Sequence, residues 1–199
     1  MTDFKKPLFC ICALLAALTA PLSAQEPWDV HLKLTAGMMN NAEDNQLGQN
    51  KVYGLAIAGA YPLTLKGHGV LEGGYKVFPT TTITETSRYI DDLSDIYFVS
   101  LMYRHDLWRN GIYLQGGLRV SNTRTVRDII TKGVGIDGKD VRDRIRGKRD
   151  TKAGLCFAVG YRLTDLCSVE VGASSASFSN LAGKSVSGTI FEIALCIHR

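Results

Sequence analysis

Ala153-Gly154-Leu155-Cys156-Phe157-Ala158-Val159-Gly160-Tyr161-Arg162-Leu163-Thr164-Asp165-Leu166-Cys167-Ser168-Val169-Glu170-Val171-Gly172 is the stretch that decides the fold. Leu155, Phe157, Val159 and Tyr161 alternate with Gly154, Cys156, Ala158, Gly160 and Arg162. After the break at 164–167, Val169 and Val171 alternate with Glu170 and Gly172. A period of two is the signature of a β-strand, because successive side chains leave opposite faces. One face is apolar and bulky. The other is small and polar, with scattered charges.

The same period recurs outward from this hairpin. Trp28, Val30, Leu32, Leu34, Ala36 and Met38 alternate with Asp29, His31, Lys33, Thr35 and Gly37. Further apolar faces are Tyr53–Leu63, Leu71–Val77, Tyr97–Tyr103, Ile112–Val120 and Phe191–Ile197, each read at every second residue. Eight strands result, most of them ten to thirteen residues long. Strands of soluble domains are typically ~5–6 residues, whereas a tilted strand needs ~9–11 to cross a bilayer. Length therefore favours a membrane wall.

The connections fall near 40–50, 63–67, 79–94, 107–110, 122–151, 164–167 and 178–185, long and short in strict turn. An up-and-down barrel in an outer membrane keeps short turns on one side and long loops on the other. Trp28, Tyr61, Tyr103, Trp108 and Tyr161 lie at the short-turn ends, and Tyr53, Tyr75, Tyr97 and Phe178 at the long-loop ends. Two such levels make the aromatic girdles of a transmembrane barrel. The expected fold is all-β: a closed eight-stranded antiparallel up-and-down transmembrane β-barrel over 25–199.

Residues 1–24 read as a cleaved signal peptide, with Lys5 and Lys6 before the apolar run Leu8–Leu18 and small residues at Ser23-Ala24. A membrane anchor would need ~20 uninterrupted apolar residues, and Thr19 and Pro21 interrupt this run. Export to the bacterial outer membrane is the expected location. Removing the signal changes the formal charge from +4 to +3 and leaves Cys156, Cys167 and Cys196. An odd number cannot all pair internally, and parity points Cys196 inward and Cys167 outward, so that a bond between them would need a local bulge. Three free thiols are expected.

Gly160-Tyr161-Arg162-Leu163-Thr164-Asp165 followed by Ser168-Val169-Glu170-Val171-Gly172 resembles the penultimate hairpin of small outer-membrane β-barrel proteins, the OmpA-like, OmpX-like and opacity-type surface barrels. The resemblance covers the mature chain as architecture and this hairpin as motif. It implies the barrel-assembly machinery and outer-membrane lipid as partners. Relatives usually end on an aromatic residue, while here Cys196-Ile197-His198-Arg199 follow Phe191. A separate peptidoglycan-binding domain is not expected.

Parity sends Lys33, Glu72, Lys76, Arg104, Arg119, Arg162, Glu170 and Glu192 into the lumen. Hairpin folding is expected to set Glu72 level with Arg104 and Glu170 near Arg162, and closure to bring Glu192 towards Lys33. These charges either line an ion path or form a salt-bridge plug. An eight-stranded interior is just wide enough for side chains, which favours the plug. No catalytic, cofactor or metal site is read from spacing. None of His31, His68, His105 and His198 has Ser two residues later, as a lipid A deacylase motif would need, and there is no Cys-x-x-Cys.

The connection Arg124–Asp150 carries nine basic and five acidic residues, a net +4. Arg142, Arg144, Arg146, Lys148 and Arg149 form its basic cluster. It reads either as solvated cover or as a surface that holds lipopolysaccharide phosphates or other polyanions, since Arg grips such groups bidentately. Arg142, Asp143, Arg144 and Arg146 also suit an extension of the flanking strands. The expected function is a non-enzymatic, monomeric surface barrel presenting long loops for adhesion or envelope integrity, with no nucleic-acid partner. The alternatives are a narrow solute channel or carrier and, third, a lipid A-modifying barrel.

Overall fold

Alternating bulky and small residues make ladders in which one face of every strand is wet or greasy as a unit. In the computed structural model this yields β1 (Asp29–Asn41), β2 (Lys51–Pro62), β3 (Gly67–Glu85), β4 (Arg88–Asp106), β5 (Ile112–Thr131), β6 (Val141–Arg146), β7 (Asp150–Thr164), β8 (Cys167–Ser179) and β9 (Ser185–His198). The structure describes residues 28–41, 51–85, 88–107, 111–131, 141–179 and 185–199. The expected signal segment and Trp108 lie outside them. Neighbouring strands are antiparallel throughout, and β1 pairs with β9, which closes the wall. Eight strands form that wall, in the order β1-β2-β3-β4-β5-β7-β8-β9. The ninth, β6, lies beyond it.

Leu101 and Leu155 on the outer face are 67% and 69% exposed, and Leu71, Val99, Leu118, Val171 and Ile193 share that face. Such a continuous apolar surface suits lipid, not water. Among the described residues no helix is long and apolar enough to cross a membrane. Trp28 and Tyr61 meet at the short-turn end with ring centroids 5.3 Å apart, and Tyr75 and Tyr97 at the opposite end at 4.9 Å. The girdle expected from the sequence is thus built from cross-strand aromatic pairs.

Two long connections carry ladder beyond the wall, the second as the strand-extension reading of Arg142, Asp143, Arg144 and Arg146 allows. The stretch 79–94 is mostly ladder, paired from Pro79↔Leu93 to Glu85↔Arg88. Thr80, Thr81, Thr82, Ile83, Tyr89 and Ile90 are β-branched or aromatic, and such side chains favour strand even where no lipid requires it. In the stretch 122–151, β5 continues to Thr131 and pairs with β6. Arg124 and Thr125 then face Gly147, Lys148 and Arg149, one residue more, a β-bulge where β6 gives way to β7. The Gly147 amide donates to the Thr125 carbonyl at 2.8 Å across it.

Close packing explains two inward glycines. A Cβ on Gly117 would collide with the Leu101 carbonyl on β4, and one on Gly160 with the Tyr113 ring that lies across it. Cys156, Cys167 and Cys196 are free thiols. Cys196 is opposite Ser168 in the β8–β9 register, and Cys167 is opposite Ile197.

Candidate functional site

Three layers fill the lumen. Nearest the long connections is an apolar cap of Met39, Val52, Phe78, Ile96, Phe98 and Ile190. Inward-facing bulk of this kind was not expected from a face read as small and polar. The period assigns these residues to the inner face, but only a narrow lumen makes that face a core.

Below the cap lies a belt of charge. Lys33 Nζ donates to Glu72 Oε2 at 2.7 Å and also contacts Glu170. Arg119 donates to Glu72 Oε1 at 2.9 Å and to Ser100 Oγ at 2.8 Å, and lies 3.7 Å from Glu192. Lys76 pairs with Glu192. Arg119 and Lys76 both lie over the Phe98 ring, at 4.2 and 4.9 Å from its centroid. Lys33, Lys76 and Arg119 thus balance Glu72, Glu170 and Glu192, charge for charge. A buried ion pair persists only when its remaining hydrogen-bonding atoms also find partners, and here Tyr113 and Gln115 donate to Glu170 at 2.8 and 3.0 Å.

The partners differ from the expected ones. Glu72 is opposite Ser100, not Arg104. Glu170 is held by Lys33, Tyr113 and Gln115, and Glu192 by Lys76 and Arg119. Arg162 is exposed at the short-turn rim, just before a register shift, and contacts Asp29 at 3.7 Å. Parity fixes the face of a residue. Tilted, staggered strands fix its height, and long side chains reach across the lumen to strands that are not ladder neighbours.

The short-turn mouth holds an arrangement the spacing gave no sign of. Asp29 and His31 share the inner face of β1, and His31 is opposite His198 on β9. His198 Nδ1 is 3.0 Å from Asp29 Oδ1, and its Nε2 is 2.7 Å from Ser168 Oγ. Ser168 in turn lies 3.2 Å from the Tyr113 hydroxyl. Serine, imidazole and carboxylate in that order resemble a hydrolytic relay. Yet Ser168 is 0% exposed, and Tyr113 and Cys196 crowd it, so no substrate carbonyl can approach its oxygen. Arg104 contacts Asp29 at 3.5 Å and stacks over Tyr113 at 5.2 Å. A pocket of ≈ 270 Å³ opens here, lined by Asp29, His68, Arg104, Arg162, Asp165 and His198 among others.

At the other end a polar collar sits on the outer face beside Tyr75 and Tyr97. Arg124 donates to Asp95 Oδ2 at 2.9 Å. Arg149 donates to Asn122 Oδ1 at 2.6 Å and lies over the Tyr97 ring at 5.1 Å. Higher up, Arg144 grips both oxygens of Asp128 at 2.6 and 2.8 Å. That contact pushes the Arg144 pKa above its ordinary value. Of the expected basic cluster, Arg144 and Arg149 are therefore engaged within the protein. Arg146 and Lys148 are exposed, and the side chain of Arg142 lies outside the description.

No family model matches the sequence, and no curated protein matches it. Among solved structures, Neisserial surface protein A superposes with a TM-score of 0.54 at 14% identity, over 86% of this chain and 97% of that one. Ail, the attachment invasion locus protein of Yersinia pestis, gives a TM-score of 0.50 at 8% identity, over 85% of this chain and 97% of that one. The fold is that of the small eight-stranded outer-membrane barrels.

Proposed function

We propose that this chain is a non-enzymatic barrel of the bacterial outer membrane. Its wall serves as a platform, and its function resides in the strand extensions and connections at the long-loop end. The observation that carries this reading is the filled lumen. A charge-balanced belt of Lys33, Glu72, Lys76, Arg119, Glu170 and Glu192 lies under the apolar cap of Met39, Phe78, Ile96 and Phe98. Among the described residues, that interior is packed with side chains, and its serine, Ser168, is buried. The Neisserial surface protein and the attachment invasion locus protein, named for surface roles, have the same fold and support the same reading.

The chemistry on offer at the long-loop end is cationic. Arg124 and Arg149 lie at the level of the Tyr75–Tyr97 pair, where headgroups of the outer leaflet would lie. Arg146 and Lys148 are exposed beyond them. The partner class is therefore a polyanion, with lipopolysaccharide phosphate as the nearest example. Retention of the folded barrel on immobilised lipopolysaccharide or heparin tests this at two salt levels. Contacts of this kind weaken past ~0.15 M salt, where the Debye length is about 8 Å. Charge reversal at Arg146 and Lys148 should lower retention at low salt, and unchanged retention in a correctly folded variant rejects the assignment.

A further inference from the structure

We propose that the short-turn mouth is a binding site for a divalent transition-metal ion, zinc by preference, held by Asp29, His31 and His198 across the seam where β1 meets β9. One ligand atom from each of the three residues lies within 4.8 Å of the other two. Asp29 and His31 are two apart on one strand face, and His198 is the cross-strand partner of His31. The ladder itself thus converges the three side chains. Two imidazoles and a carboxylate, with a fourth position left to water, form a common zinc donor set. They suit nickel and copper as well, while a hard ion such as magnesium prefers all-oxygen sites.

Two independent observations point to a ligand. The first is His31, which is 2% exposed and whose Nδ1 has no hydrogen-bond partner. A buried imidazole nitrogen left without a partner is costly. The second is the set of contacts around His198, whose Nδ1 faces Asp29 and whose Nε2 faces Ser168. Tyr113 gives its hydroxyl proton to Glu170 Oε1. With a proton on His198 Nδ1 for Asp29, Ser168 must give its own proton to His198 Nε2. The Ser168 and Tyr113 oxygens then face each other at 3.2 Å with no hydrogen between them. With a metal on Nδ1, the proton sits on Nε2 and goes to Ser168, whose hydroxyl turns to Tyr113. The 3.2 Å Ser168–Tyr113 contact then carries a hydrogen, and Ser168 becomes the outer partner that orients a ligating imidazole.

The neighbouring trio of His31, Glu170 and Cys196 is the weaker set. Glu170 already accepts from Lys33, Tyr113 and Gln115. Asp29 instead offers Oδ1 to the site, while Arg104 and Arg162 approach its Oδ2 at 3.5 and 3.7 Å. Those two guanidinium groups also repel a dication and set a ceiling on its affinity. The ≈ 270 Å³ mouth pocket, which includes Asp29 and His198 in its lining, gives an ion a way in. A metal here would staple the closing seam of the barrel from the short-turn side.

The test uses the folded, untagged barrel in detergent at pH 7.5, titrated with zinc chloride and, separately, with cobalt(II) chloride. One zinc ion per chain is expected by calorimetry. Cobalt should give the intense visible bands of a tetrahedral site without thiolate charge transfer. His31→Gln and His198→Gln should abolish stoichiometric binding. Ser168→Ala should weaken it by about 10–100-fold, the usual effect of losing an outer partner. His105→Gln, on the other face of β4, should leave it intact. Absence of saturable zinc binding to the wild-type barrel overturns the proposal whatever the variants do. Undiminished binding by a folded His198→Gln barrel overturns it too, and cobalt–thiolate absorption overturns the ligand set in favour of Cys196.

Discussion

Arg144 on β6 and Asp128 on β5 form a two-point ion pair that clasps the hairpin above the wall, with contacts of 2.6 and 2.8 Å. The pair closes the ladder between Val126↔Arg146 and Thr131↔Val141, beyond the bulge at Gly147–Arg149. On its other side this stretch of β5 pairs with β4, whereas β6 pairs with β5 alone. Asp128→Asn should therefore loosen the arm and leave the wall intact. The loss is about 1 kcal/mol, the upper end of the range for exposed pairs, because Asp128 is buried while Arg144 is not. Limited proteolysis between β5 and β7 should speed up in the variant, while the unboiled gel shift of the folded barrel stays the same.

Removing one member of the lumen belt should be far more costly. Glu72 accepts from both Lys33 and Arg119, and all three are buried. Glu72→Gln leaves excess positive charge in a buried site, at about 3–5 kcal/mol. The urea midpoint for unfolding from detergent micelles should fall accordingly. Asp165→Asn, in the β7–β8 turn, is the control and should leave it unchanged.

The wild-type barrel should show no steady single-channel openings in planar bilayers. Openings that disappear on charge reversal at Arg104 or Glu72 would mean that the lumen conducts, and the platform reading would fail.

Depth in the membrane should be readable from Leu101. It is 67% exposed on the outer face of β4, between the aromatic pairs. An arginine at the bilayer midplane costs about 2–4 kcal/mol. Leu101→Arg should cut the yield of folding into phosphatidylcholine vesicles, whereas Val141→Arg on the projecting arm should not.

Gly160→Ala should damage the mouth without touching its polar groups. Its Cβ would displace the Tyr113 ring, and Tyr113 donates to Glu170 and contacts Ser168. Lower stability in Gly160→Ala, with no such effect in Gly73→Ala where the nearest atom is 3.9 Å away, would establish that the ring must lie across the backbone.

The period-two pattern by itself determined the wall, the number of strands in it, the face of each residue and the end from which each connection leaves. All of these follow from local geometry: Leu155 and Phe157 must point opposite to Cys156 and Ala158 whatever the rest of the chain does. The charged belt was legible as a set of inward residues for the same reason, Arg162 at the rim excepted. Who pairs with whom was not. Glu72 meets Lys33 and Arg119 because closure and strand tilt bring β1, β3 and β5 to one level across a narrow lumen, and parity carries no height. The projecting hairpins depended on cross-strand pairing beyond the lipid, and the Asp29–His31–His198 mouth on joining β1 to β9, residues 169 positions apart at its ends. Alternation is a property of neighbours in sequence, while those contacts exist only once the barrel has closed.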